Sequence, residues 1–304
     1  MEENDLQDNI EVKKETVPEK DGKKIRIGYV FLAVIPFAVI MALQSAAVLP
    51  GVILAMIDLS KSGQDFDLPL MIRVFNEKYG LFCYIAYCAA SIGVFLTWYY
   101  KCFVRKDPKI SYKKALGLKP VLLTVAVMIC TYFTVNGVFT FIDKVLPEVM
   151  KKYYELMELS SIGSNMWITV VYGIVLGPIA EELCFRGIVF KYLEKAKLHF
   201  IFVILIQAVL FGIMHSNLIQ GIYASALGML LGYLRYKYKT VLITIGAHML
   251  FNFFGTIVAI KAAEAGVTDD MDIILGAVFI FLTAGVILLI AKDKRSCYKQ
   301  EEAV

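Results

Sequence analysis

The feature that most constrains this chain is a series of apolar blocks, each long enough to cross a lipid bilayer. A membrane-spanning helix needs about 20 predominantly apolar residues. The chain is 59% hydrophobic and only 19% charged, and the charges lie mostly between the blocks. The sequence therefore predicts an all-α, polytopic membrane helix bundle. Its eight predicted transmembrane helices lie at approximately 27–56, 80–103, 121–142, 166–191, 198–217, 218–235, 240–260 and 272–291.

The segments between the blocks alternate in charge, and this alternation predicts the topology. Residues 101–120 carry seven basic residues and one acidic residue, and the loop at 235–239 carries three basic residues and none that is acidic. Segments 57–79, 143–165 and 261–272 each carry more acidic than basic residues. Cytoplasmic loops are enriched in Lys and Arg, so both termini are predicted to be cytoplasmic. A net charge of +4, scattered over these loops, does not indicate nucleic acid as a partner.

Three charged residues fall inside a predicted span, the fourth: Glu181, Glu182 and Arg186. A charge at the bilayer centre costs roughly 2.5–3.5 kcal/mol on insertion scales, and charges found there are usually functional. Glu182 and Arg186 are four residues apart, so they share a helix face and are predicted to form a supporting ion pair. Glu181 points about 100° away from Glu182. It is left without a partner on its own helix, which favours a catalytic role.

Two further spans carry histidines, each one helical turn from another unusual side chain. Phe211 and His215 are four residues apart in the fifth span, and His248 and Asn252 are four apart in the seventh. Each pair therefore faces one way from its helix. A single histidine in a membrane more often makes an interhelical hydrogen bond than it catalyses a reaction. Two histidines, an asparagine and an unpaired glutamate on three spans instead indicate a functional site.

These motifs resemble those of the CPBP family, which comprises CAAX proteases and bacteriocin-processing enzymes. That family combines an EExxxR motif with FxxxH and HxxxN motifs on successive helices. Here they are EELCFR at 181–186, FGIMH at 211–215 and HMLFN at 248–252, and the resemblance covers about residues 120–260. It implies an eight-helix bundle and a glutamate-dependent endopeptidase, while the short loops favour an integral membrane protein of a bacterial plasma membrane. The implied catalytic residues are Glu181, His215, His248 and Asn252, and the implied supporting residues are Glu182, Arg186 and Phe211.

The resemblance also implies a domain organisation and a reaction. A hydrophilic tail (1–26) precedes N-terminal transmembrane helices (27–115), a CPBP-like catalytic membrane domain (116–291) and a cytoplasmic C-terminal tail (292–304). The reaction is hydrolysis of a peptide bond in a membrane-associated or lipidated peptide or protein. Glu181 would activate a water and His215 would help to hold it. His248 and Asn252 would donate hydrogen bonds to the oxyanion.

The sequence leaves an alternative for the cofactor and alternatives for the function. A metal-free site is favoured because the chain has no HExxH motif, but Glu181, His215 and His248 could instead bind zinc. A proton-coupled transporter would also use buried glutamate and histidine, and a non-catalytic immunity or scaffold protein is a third interpretation. The polar residues are concentrated in one half of the chain, whereas transporters commonly show paired repeats. An enzyme whose partners are the bilayer and a peptide substrate is therefore favoured.

Overall fold

The computed structural model describes residues 24–63, 65–105, 116–159 and 166–293. The predicted N-terminal tail (1–26) and C-terminal tail (292–304) lie almost entirely outside these residues. Within them the chain is helical and contains no strand. The helices of the described residues are α1 Ile27–Lys61, α2 Leu68–Val104, α3 Leu118–Val145, α4 Pro147–Leu159, α5 Ile168–Lys195, α6 Phe200–Met214, α7 Leu218–Tyr238, α8 Val241–Ala262 and α9 Asp269–Lys292.

Six helices of the described chain (α1, α2, α3, α5, α8 and α9) are long and apolar enough to cross a membrane. Their outward faces carry large apolar side chains. Phe31, Phe82 and Phe281 are 71%, 75% and 79% exposed. Water would solvate such a surface poorly, whereas lipid solvates it well. The chain is an integral membrane protein, and the prediction of a polytopic helical bundle is confirmed.

The predicted fifth and sixth spans correspond to shorter or less apolar helices. Helix α6 is apolar but has only 15 residues, and α7 has 21 residues with a more mixed composition. The count of eight spans and the cytoplasmic position of both termini therefore stay predictions. Two predicted loops are shorter than the sequence indicated. Helix α2 already begins at Leu68, where the Asp67 side chain caps it by accepting from the Leu70 N–H, and α4 occupies much of segment 143–165.

Helix α5 occupies the middle of the bundle. One side of it packs against α1, α2 and α6 in the largest hydrophobic cluster of the described residues. The Cys184 thiol also donates to the carbonyl of Pro36 in α1, at 3.5 Å. A second cluster joins α3, α7, α8 and α9. The N-terminal helices therefore support α5 in the same cluster as α6, which carries His215, while α8, which carries His248, belongs largely to the second cluster.

Helix α5 departs from regular α-helical geometry in two places. Ile168–Leu176 and Leu183–Val189 are π-helical, so their N–H groups bond to carbonyls five residues back. The Gly177 N–H accordingly donates to the carbonyl of Tyr172. The wider turn before Pro178 lets the helix continue through the proline. At Gly177-Pro178 the helix is therefore continuous, and its hydrogen bonding changes from π-helical to α-helical.

Helices α3 and α9 approach each other closely at Gly137, which generates a prediction about stability. A Cβ atom on Gly137 would lie 2.5 Å from the carbonyl oxygen of Asp272 and 2.6 Å from Cα of Gly276. Both are main-chain atoms, which cannot turn aside as a side chain can. We expect Gly137→Leu to overpack this contact by about 2 kcal/mol or more and to lower the melting temperature by roughly 5 °C.

The measurement is thermal unfolding of the purified protein in detergent, with Gly285→Leu as the matched control. Gly285 lies on α9, and a Cβ there would meet no atom within 4 Å. The control should unfold at the temperature of the wild-type protein. Equal melting temperatures for the two variants would contradict the close approach of α3 and α9.

Candidate active site

Glu182 and Arg186 form the ion pair that their spacing predicts. Nη1 of Arg186 donates to Oε1 of Glu182 at 2.7 Å, and both side chains are 0% exposed. Nη2 of Arg186 donates to the carbonyl of Gly228 in α7 at 3.3 Å, and the guanidinium lies 4.4 Å from the ring centroid of Phe211. Two buried charges are tolerated only when they are paired and further hydrogen-bonded. Here the pair joins α5 to both α6 and α7.

His248 lies between the two glutamates. Its Nδ1 is 3.0 Å from Oε1 of Glu182, and its Nε2 is 3.8 Å from Oε2 of Glu181. The Glu182 carboxylate is paired with Arg186 and can only accept, so Nδ1 of His248 carries the proton of this hydrogen bond. We did not expect both glutamates to meet one residue, because they point about 100° apart. An imidazole presents nitrogens on two edges, and it can therefore contact both.

His215 follows the last residue of α6, and Phe211 links it to His248. Nδ1 of His215 is 2.9 Å from the carbonyl oxygen of Phe211. A carbonyl only accepts, so Nδ1 donates, and in the neutral ring Nε2 is left as an acceptor. The ring of Phe211 makes edge-to-face contacts with both histidines, at 5.0 Å from His215 and 5.6 Å from His248. Among the ion pairs of the described residues, none joins His215 to either glutamate.

Asn252 contacts α5 through a main-chain group that a proline has freed. The Gly177 N–H donates to the carbonyl five residues back, that of Tyr172. If the same spacing continued, the carbonyl of Gly173 would accept from the N–H of residue 178. Pro178 has no N–H to donate. Nδ2 of Asn252 donates to the Gly173 carbonyl instead, at 2.7 Å. A buried carbonyl left unpaired costs about 1–3 kcal/mol, so this bond stabilises α5 just before its glutamates.

Arg235 was missed, because we assigned it to the cytoplasmic loop at 235–239. That assignment is wrong. Arg235 lies in the last turn of α7, its side chain is 0% exposed, and its Nε donates to the carbonyl of Arg186 at 3.0 Å. One signal was present in the sequence. Gly228, Leu231 and Arg235 follow each other at helical spacing on one face, and Gly228 and Leu231 are both buried.

The donor groups do not converge into a three-ligand metal site. Among the residues that the structure describes, no group of three or more His, Cys, Asp or Glu side chains is placed to hold a metal ion. Glu181 and His248 approach each other, but His215 directs Nδ1 to the carbonyl of Phe211. The alternative zinc ligands Glu181, His215 and His248 therefore do not fit a zinc ion in this arrangement.

Known proteins match the part of the chain that carries these motifs. Residues 163–254, which contain all seven implied site residues, match the family "Type II CAAX prenyl endopeptidase Rce1-like". The chain is also 30% identical over 116 residues to a Bacillus subtilis (strain 168) protein named "Putative membrane peptidase YdiL", a match that covers 37% of this chain and 47% of that protein. The chain thus spans about half the length of this relative. No solved structure matches the chain. The two sequence matches confirm the resemblance to the CPBP family.

The buried ion pair predicts a strong energetic coupling between Glu182 and Arg186. Replacing one partner leaves the other charge buried without compensation, at a cost of roughly 3–5 kcal/mol. We expect Glu182→Gln and Arg186→Met each to lower the thermal stability markedly, and the double variant to lower it by less than the sum of the two. A double-mutant cycle on thermal or denaturant unfolding measures this coupling.

The matched control is the pair of Lys261 and Glu264, which is equally short at 2.6 Å but exposed, with side chains 69% and 59% accessible. Exposed pairs contribute little to stability, so this second cycle should show effects that simply add. Additive effects in the cycle of Glu182 and Arg186 as well would show that the buried pair does not act as one unit.

Proposed function

We propose that this protein is an intramembrane endopeptidase that hydrolyses a peptide bond with a water activated by Glu181. The observation that carries the proposal is the position of His248, with Nδ1 3.0 Å from Glu182 and Nε2 3.8 Å from Glu181. Glu182 fixes the orientation of the imidazole, as the carboxylate does in a Ser-His-Asp triad. The similarity to type II CAAX prenyl endopeptidases supports this type of reaction.

A water shared by Glu181 and His248 is the nucleophile. The 3.8 Å between Oε2 of Glu181 and Nε2 of His248 is too long for a direct hydrogen bond. A water that lies off the line between them can sit about 2.8 Å from both atoms. Glu181 takes a proton from this water as its oxygen attacks the carbonyl carbon, and later gives the proton to the leaving amine nitrogen. Nε2 of His215, an acceptor in the neutral ring, helps to hold this water through a second water molecule.

His248 and Asn252 stabilise the oxyanion of the tetrahedral intermediate. When both ring nitrogens of His248 carry a proton, its Nδ1–H still donates to Glu182. In that state the Nε2–H of His248 is a donor. Asn252 has a second amide N–H besides the one bonded to Gly173, and this N–H is the second donor. Donors held in place in a water-poor site are worth far more than they are in water.

The substrate is a membrane-associated or lipidated peptide or protein. The catalytic groups lie on helices whose outward faces suit lipid, and the described chain has no large domain outside them. A peptide that reaches these groups must enter the bilayer, which an apolar segment or a covalently attached lipid favours. The similarity to prenyl endopeptidases supports the same substrate class. The bacterial relative supports a bacterial plasma membrane as the location.

The first test removes the proposed base. We expect Glu181→Gln to lower cleavage by roughly 10²–10⁴-fold, because an amide keeps the shape of the side chain but cannot take up a proton at neutral pH. Quantitative peptidomics of membranes with the wild-type or variant protein identifies the cleaved sites, and a fluorogenic peptide built on one such site gives the rates.

Glu264→Gln makes the same chemical change at an exposed position just beyond the end of α8 and should leave the rate unchanged. Undiminished cleavage by the Glu181→Gln variant would remove Glu181 as the base. A proton-coupled transporter or a scaffold, the alternative functions, would yield no cleaved sites with any of these proteins.

The second test concerns zinc. Since Glu181, His215 and His248 do not converge as ligands, we propose a metal-free reaction. Purified protein should then contain far less than one zinc ion per chain by elemental mass spectrometry, and cleavage of the fluorogenic peptide should survive a strong chelator. A zinc site would require about one ion per chain, loss of activity on chelation and recovery when zinc is returned. That second set of results would overturn the metal-free mechanism and leave the peptidase assignment standing.

A further inference from the structure

Arg235 makes one contact that none of the roles above explains. Its side chain is 0% exposed, and its Nε donates to the main-chain carbonyl of Arg186 at 3.0 Å. Its Nη1 and Nη2 bond to no protein atom. The charge of Arg235 interacts at longer range with Glu194, which also pairs with Lys191 and Lys239. Among the described residues, the bond to Arg186 is the one hydrogen bond by which this buried side chain contacts α5; its guanidinium also lies 5.4 Å from the centroid of the Phe190 ring.

The geometry of α5 explains why a carbonyl is free at this point. The N–H of Phe190 donates five residues back, to Phe185, whereas the N–H of Ala196 donates four residues back, to Tyr192. Between these two bonds, the five N–H groups of residues 191–195 are the main-chain donors available to the six carbonyls of residues 186–191. One carbonyl in this stretch must therefore lack a main-chain donor. The carbonyl of Arg186 is the first of them, and it is the one to which Arg235 donates.

Which carbonyl is free depends on where the π-helical turn lies along α5. If the turn moved by one residue or relaxed to an α-helix, a different carbonyl or none would be free. If the turn relaxed to an α-helix, the part of α5 before it would also rotate by about 100° relative to the part after it. Such a rotation would carry Glu181 and Glu182 away from His248. A donor fixed opposite the Arg186 carbonyl stabilises only the register in which the glutamates meet the histidine.

We propose that Arg235 is a positioning residue, whose Nε–H selects the helical register of α5 that places Glu181 and Glu182 beside His248. Helix α7 then holds α5 at Arg186 in two ways. The Gly228 carbonyl accepts from the Arg186 side chain, and Arg235 donates to the Arg186 main chain. The effect on catalysis rests on the proposed peptidase function, whereas the effect on the helical register does not.

Three variants of Arg235 separate the hydrogen bond from the charge. In Arg235→Gln, the amide nitrogen stands as many bonds from the main chain as Nε does, so a donor remains and the charge is lost. Arg235→Lys keeps the charge but has a carbon at that place. Arg235→Met has neither a donor nor a charge there. Lys237→Met is the matched control, because Lys237 also donates from α7 to a main-chain carbonyl, that of Ala291 in α9, away from the site.

We expect Arg235→Met and Arg235→Lys to lower kcat by roughly 10- to 100-fold, the scale of a misplacement of about 1 Å. KM for the fluorogenic peptide should stay within about twofold, because substrate binding is not the step affected. Arg235→Gln should restore most of the rate, and Lys237→Met should match the wild-type protein. Amide hydrogen exchange in Leu183–Val189 should be faster in Arg235→Met than in Arg235→Gln.

Two results would overturn the proposal. One is an unchanged kcat in Arg235→Met; the other is rescue by Arg235→Lys without rescue by Arg235→Gln, which would make the charge the relevant property. If Arg235→Met does not fold, the comparison of the Gln and Lys variants still decides between donor and charge. If no protein cleaves peptide, including the wild type, the proposed function fails, and hydrogen exchange alone decides whether Arg235 holds the register of α5.

Discussion

The guanidinium of Arg186 is the point at which the charges of the site, an aromatic ring and two neighbouring helices meet. It binds Glu182 at 2.7 Å and the Gly228 carbonyl at 3.3 Å, and the ring of Phe211 covers it at 4.4 Å. A fully buried charge is costly unless such partners are all present. Helices α6 and α7 must therefore pack where they do for α5 to be stable in the membrane. The orientation of His248 follows, because its Nδ1 bonds to the same carboxylate oxygen as Arg186.

Much of this arrangement is predictable because it depends on spacing along a helix. Apolar length predicts the long helices, since each crossing needs about 20 residues. A separation of four residues predicts the contact of Glu182 with Arg186, and it also predicts that Phe211 and His215 lie together on α6. The three motifs predict which helices meet. None of these inferences requires knowledge of the irregular geometry inside α5.

The contacts that could not be predicted depend on that irregular geometry. Assigning side chains to helix faces from a sequence assumes a rotation of about 100° per residue. Each π-helical turn breaks this assumption, because it changes the direction of every side chain that follows it. The bonds from Asn252 to Gly173 and from Arg235 to Arg186 exist because irregular turns leave these carbonyls without a main-chain donor. Of the features that leave these two carbonyls without a donor, only Pro178 can be recognised in the sequence. Arg235 was mistaken for a loop residue because it ends an apolar block. The sequence alone does not distinguish a basic residue that faces water there from one that faces the helix bundle.

The shortness of α6 has a consequence for the surrounding lipid. Its 15 residues extend about 22 Å, whereas the hydrocarbon layer of a bilayer is about 30 Å thick. Phe202, Leu205, Val209 and Ile213 are between 40% and 56% exposed along one face, and such a face suits contact with acyl chains. Acyl chains beside a short apolar helix shorten or tilt to match it, which thins the membrane locally. His215 lies at the end of α6, so the polar backbone of a peptide approaching there would cross less hydrocarbon than beside the longer helices.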